Sequence, residues 1–153
     1  MAAGGLAAYL LIGGTSQQPA AARARQYTAA QACLLTDARG ITGSQTAPVW
    51  QGLEDASLAT HAKVTYLATS GPATAANAIP YANSLIQQHC DVILAVGDPE
   101  TGAAAHIART APKTRFVLVG SGTGTTTHNV TELRLSPSTR GQVARAVEAD
   151  LRQ

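Results

Sequence analysis

Residues 91–96 read DVILAV and residues 97–99 read GDP. After a single Asp the run is apolar throughout and rich in β-branched residues, as a strand buried on both faces of a parallel sheet requires. Asp98 then offers a helix cap with Pro99 at the first helical position, and the helix extends to about Thr110. Arg115–Val119 (RFVLV) repeats the buried-strand pattern after a short turn. Strand, helix and strand joined by short connections make the unit of a parallel α/β sheet.

The same alternation continues outward. Upstream, Ala32–Thr36 (ACLLT) and Lys63–Thr69 (KVTYLAT) are expected strands; downstream, Asn129–Leu135 is a more exposed one. Helices are expected at Pro48–His61 with Thr46 as cap, at Ala73–His89, and at Ser138–Leu151. Pro80 falls inside the second of these, so a start near Pro80 is the alternative. Five strands and four helices predict a single three-layer α/β/α lobe with a five-stranded parallel sheet in the order 2-1-3-4-5. Ligands then meet the carboxyl ends of the first and third strands, where the order reverses.

Length and composition agree with one such domain. The chain has 153 residues, 45% of them hydrophobic and only 13% charged. Low charge comes here with Ala, Thr and Gly and not with low hydrophobicity, which argues against wholesale disorder. The net charge of +2 rests mostly on scattered Arg, with Lys63 and Lys113 the only lysines. One Trp and one Phe leave few rings to stack on bases, so no nucleic-acid partner is expected.

Residues 2–14 (AAGGLAAYLLIGG) are almost free of polar side chains. As a helix they would span about 20 Å, short of the roughly 30 Å hydrocarbon core of a bilayer. No Lys or Arg precedes them, so they are not a complete secretory signal as written. Three readings stay open: an export or anchor segment whose basic flank lies upstream, an apolar segment that packs against its own copies, and an Ala/Gly-rich tail. The preferred division is an apolar segment at 1–14, a polar linker at 15–31 and the domain at 32–153. It places the protein outside the cytoplasm, secreted or anchored at the cell surface, with membrane contact through 1–14.

The segments CLLTDARGI, APVWQGLEDAS, KVTYLATSGP, QQHCDVILAVGD, AHIARTAPKTRFVLVGSG and HNVTEL stand in an order that resembles a known family. They are similar to the amino-terminal lobe of the basic membrane protein family, the substrate-binding lipoproteins of ABC transporters that include the purine-nucleoside receptor. Asp37, Gly40, Trp50, Gly52, Leu53, Asp91, Gly97, Pro112 and Phe116 fall on the family pattern, between about Ala32 and Leu135. The resemblance implies a type I periplasmic-binding fold, a small-molecule ligand such as a nucleoside, and no catalysis. Two departures stand out. Family members close their cleft with a second lobe, for which this sequence has no counterpart after the fifth strand. Their ring-bearing loop before the first helix is replaced by Thr42–Ala47 (TGSQTA), with neither ring nor carboxylate. Two copies facing each other would restore a closed cleft.

The candidate ligand residues are Asp37, Gly40, Gly97, Asp98 and Ser121. Asp37 follows the first strand, where a carboxylate accepts from a ligand hydroxyl or amine; a turn former bonding its own loop is the equal alternative. Asp98 faces the same end, though Asp-Pro-Glu is first a helix start. Gly120–Thr125 (GSGTGT) resembles a phosphate loop but lacks its Lys and the following helix. Cys33 and Cys90 open the first and third strands, neighbours in the expected order, within reach of a disulfide. Such a bridge would stabilise by about 4 kcal/mol on the chain-entropy model; two buried free thiols are the alternative. His61 and His89 lie at helix ends, where positive charge suits the dipole. No metal cluster, catalytic set or cofactor motif is evident.

Two functions compete closely. One is a non-enzymatic solute-binding lobe; the other is a structural or interaction module that has kept the lobe without its ligand and associates with itself or a protein partner. A flavodoxin-like enzyme would share the fold, but the sequence offers it no chemistry.

Overall fold

The computed structural model describes residues 25–153. The elements run β1 (Gln31–Thr36), a 3-10 turn (Gly40–Thr42), α1 (Thr46–Thr60), β2 (Lys63–Ala68), α2 (Ala75–Gln87), β3 (Val92–Val96), α3 (Asp98–Ala108), β4 (Arg115–Gly120), β5 (Val130–Arg134) and α4 (Thr139–Leu151). All four strand pairings are parallel, in the order β2-β1-β3-β4-β5. This is the expected α/β architecture. The apolar segment expected at 1–14 lies outside the described residues.

Burial explains the order. The apolar runs of β1, β3 and β4 occupy the three central positions and are buried almost throughout, whereas every residue of β2 and β5 at the edges is half-buried or exposed. Successive side chains point to opposite faces of a sheet, so each run feeds two cores. Ala32, Leu34, Val92, Leu94, Val117 and Val119 pack with Val49 and Leu53 of α1 and Val143 and Val147 of α4. Cys33, Leu35, Ile93, Ala95, Phe116 and Leu118 pack with Ala82 and Leu85 of α2 and Ala104 and Ile107 of α3. Helices α1 and α4 touch at Gly52, where a Cβ would come within 2.5 Å of the Arg140 carbonyl oxygen. Arg140 also grips Asp55 with two bonds of 2.6 and 2.8 Å across that contact.

Several local expectations are corrected. Thr46 is the first residue of α1 and not its cap; Gln45 stands at the cap with no side-chain bond. Helix α2 starts at Ala75 and runs through Pro80, so the alternative start near Pro80 does not occur. Thr74 caps it by accepting from the Asn77 N–H, and the Ala76 turn that loses its donor to the proline lies on the exposed side. Gly97, not Asp98, occupies the cap of α3, which moves Pro99 to the second helical position. His61 and His89 adopt positive φ of 59° and 61° just after α1 and α2, so they form left-handed turns there, which His tolerates better than most residues.

Candidate functional site

At the carboxyl ends of β1, β2 and β3 the connecting loops surround a cleft of about 390 Å³. It is lined by Asp37, Arg39, Gln45, Thr69, Gly97 and Glu100, among others. The β3–α3 junction also faces a second concavity of about 460 Å³, shared with Gln45, Ser121 and Arg134. Gln45, Gly97 and Asp98 line both and so form the ridge between them.

The candidate residues divide along this geometry. Asp37, Gly97 and Asp98 meet at the first cleft, and Gly97, Asp98 and Ser121 meet at the second. Asp37 is engaged locally: it accepts from the Arg39 backbone N–H at 2.9 Å and from the guanidinium at 2.6 and 2.9 Å. The side-chain bonds from Arg39 hold its carboxyl below the ordinary range. Ser121 donates to Asp98 Oδ1 at 3.0 Å, tying the β4 loop to the start of α3. Gly40 lines neither concavity. It is buried in the turn after Asp37 at φ 61°, where a Cβ would press on the Tyr66 ring at 3.3 Å. The loop at 120–125 does cradle an anion, but an internal one. Glu132 of β5 accepts from the Thr123 N–H at 2.8 Å, from the Thr125 N–H at 3.4 Å and from the Thr123 hydroxyl. The Thr123 hydroxyl in first place lowers the Glu132 pKa.

What this chain shares with known proteins is a fold. A solved structure described as "putative lipoprotein from Peptoclostridium difficile 630 (fragment)" superposes with a TM-score of 0.68 at 15% identity, over 79% of this chain and 98% of that one. A "putative branched-chain amino acid ABC transporter from Chromobacterium violaceum ATCC 12472" superposes at 0.48 and 16% identity, over 70% of this chain and 35% of that one. No family model matches the sequence, and no curated protein matches it.

Sequence reasoning missed the most informative residue of the cleft. Glu100 is 2% exposed. Its Oε1 accepts from the Thr69 hydroxyl at 3.0 Å, and its Oε2 has no partner among the described residues. Thr69 follows β2 and Glu100 lies in the first turn of α3, so the pair fastens the β2 loop to the switch point. A Cβ on Gly97 would lie 2.7 Å from Oε2, and Gly97 sits at φ 99°, so both space and backbone call for glycine there. The sequence signal was Glu at the third position of a helix that opens with Gly-Asp-Pro, visible only once the cap is put at Gly97.

The opposite end of the sheet is built differently. Cys33 and Cys90 are joined by a disulfide, with Cα atoms 5.9 Å apart and both residues buried. A larger concavity of about 530 Å³ lies at this end, lined by Asp91, Lys113, Arg115 and Asp150 among others. Burial raises the Asp150 pKa against the lowering influence of Arg115. It stands at the amino ends of the strands, away from the switch point where sheets of this kind bind ligands, so size alone does not make it the better candidate. Among the described residues no three His, Cys, Asp or Glu gather to hold a metal ion, and no helix is long and apolar enough to cross a membrane.

Proposed function

We propose that this chain is a non-enzymatic solute-binding lobe working outside the cytoplasm, and that it takes a small nucleoside-like molecule at the carboxyl ends of β1 and β3. The observation that carries the reading is the meeting of Asp37, Gly97 and Asp98, from loops after two non-consecutive strands, on one cleft at the switch point. The resemblance of the strand and loop motifs to the basic membrane protein family supports the same reading. The Cys33–Cys90 disulfide suits an oxidising compartment. One lobe supplies one wall, and pockets that hold small molecules bury most of the ligand surface. A facing surface, on a second copy or on another part of the protein, supplies the other wall.

The test is thermal and chemical unfolding of the unreduced protein against a panel of nucleosides and related solutes. A true ligand at a hundredfold excess over its dissociation constant adds about 2.7 kcal/mol. Melting that no member of the panel changes overturns the reading.

A second reading, self-association without a ligand, draws on the surface beside edge strand β2. Tyr27, Leu58 and Tyr66 are exposed there at 49%, 58% and 47%. Sedimentation velocity of the full chain and of one lacking residues 1–14 tests it. A monomer in both forms removes this alternative.

A further inference from the structure

Glu100 holds the third helical position after the Gly97 cap. A glutamate there can reach back to the cap N–H, the glutamate half of a capping box and the only half open to a glycine cap. Here the carboxylate turns to Thr69 instead, and Oε2 accepts no hydrogen bond among the described residues. A buried carboxylate oxygen without a donor is among the costliest groups a fold can keep. Retaining one beneath the wall of a cleft points to a donor that arrives from outside.

The surroundings select which donor. The start of a helix favours negative charge, but at α3 that place is already taken by Asp98 and Glu100. Three carboxylates line the cleft, Asp37, Asp98 and Glu100, against the single guanidinium of Arg39, which is itself held by Asp37. An incoming anion would face this field unfavourably, and an N–H donor or a cation would be drawn to it. A Cβ built on Gly97 would stand 2.7 Å from Oε2 and, its chain neighbours aside, would meet nothing within 4 Å but the Glu100 carboxylate, so the glycine leaves that side of Oε2 uncovered along the cleft wall both residues line. The last torsion of a Glu side chain is broad, so a small rotation presents Oε2 to the cleft.

We propose that Glu100, held by Thr69, is the specificity-determining residue of this cleft and receives the amino group of a small solute, whose N–H supplies the donor Oε2 lacks. This inference rests on the solute-binding reading above and names the chemical group the solute must carry.

Matched pairs of probes test it on the full, unreduced chain: adenosine against purine riboside, and 1,4-diaminobutane against 1,4-butanediol. Titration calorimetry gives affinity, and amide shifts at Thr69, Gly97, Asp98 and Glu100 report the place of binding. The expected result is that at least one amine shifts these amides and binds about tenfold tighter than its partner. Glu100→Gln should then remove most of that preference, with circular dichroism verifying its fold. If that variant does not fold, the pair comparison on the unaltered chain decides alone. Equal binding of both members at the cleft overturns the inference and leaves solute binding standing. So does a panel solute that binds there without an amino group. If neither these probes nor any member of the wider panel moves the cleft amides, inference and solute-binding reading fall together.

Discussion

The two ends of the sheet follow opposite rules. At the amino end a covalent bridge joins β1 to the approach to β3, and Asp91 accepts from the Gln31 N–H at 2.9 Å across the same seam. At the carboxyl end the same two strands lead into a loop and a helix start whose polar groups are satisfied locally, as with Asp37 and Arg39, or only in part, as with Glu100, whose Oε2 has no partner among the described residues. One end carries the connection between the central strands, and the other carries the groups that face a ligand. The stability of the lobe can therefore be tuned at one end without rebuilding the other.

Breaking the seam should have the largest effect. Replacing both Cys33 and Cys90 by Ala, or reducing the bridge, should cost about 4 kcal/mol in urea unfolding. Hydrogen exchange in the loops around Asp37 and Thr69 should change far less than at the amino ends of β1 and β3. A loss spread evenly over both ends would erase the contrast.

At the carboxyl end, Gly97→Ala introduces strain at a φ of 99° and drives a methyl into the Glu100 carboxylate. It should cost about 1–3 kcal/mol. Thr69→Val leaves Glu100 Oε1 as bare as Oε2 and should cost about 1–3 kcal/mol. Adding Glu100→Met to it should recover that loss, because removing both partners of a buried polar pair spares the unpaired group. Recovery would mark Glu100 as kept for something other than stability. Further loss in the double variant would make the carboxylate structural.

Acid should loosen the carboxyl end before the amino end. Asp37 and Glu132 both titrate below their ordinary values of 3.8 and 4.5 because of bonds from Arg39 and Thr123. A depressed folded-state pKa gives stabilisation that is complete above those values and is lost as pH falls through the folded ones. Protection factors at the Arg39 and Thr123 amides, taken relative to intrinsic exchange at each pH, should fall as pH drops below the ordinary values of 3.8 and 4.5 while Cys33 stays protected. The smallest effect belongs to Asp150, whose raised pKa means that its charged form is disfavoured in the fold. Its contribution is greatest at low pH and is lost as pH rises through the raised value. Asp150→Asn should thus raise the melting temperature slightly at neutral pH and not in acid.

The sheet was legible because β1, β3 and β4 are apolar in unbroken runs, which only central parallel strands tolerate. Legibility fell wherever one residue changed role. Reading Asp98 as the cap of α3 put Glu100 one position too early and hid its departure from the capping box. Its partner Thr69 lies 31 residues away, a contact that no local pattern encodes. Composition reads Gly120–Thr125 as a plain loop that only resembles a phosphate loop, and the carboxylate it wraps, Glu132, sits on the next strand, out of reach of that local pattern. Pro80 offers a start of its own as the alternative to a helix over Ala73–His89, and the longer helix forms because the turn that the proline breaks faces water.

The bridge between Cys33 and Cys90 closes residues 33–90 into a covalent ring, with 91–153 as a tail leaving it. The loops bearing Asp37, Arg39, Gln45 and Thr69 belong to the ring, whereas Gly97, Asp98 and Glu100 belong to the tail. A protease that cuts the ring at Arg39 would produce no fragment on a non-reducing gel, while a cut in the tail beyond residue 91 would release one. The two walls of the cleft thus differ in their response to nicking: damage to the ring wall stays attached to the molecule, and damage to the tail wall does not.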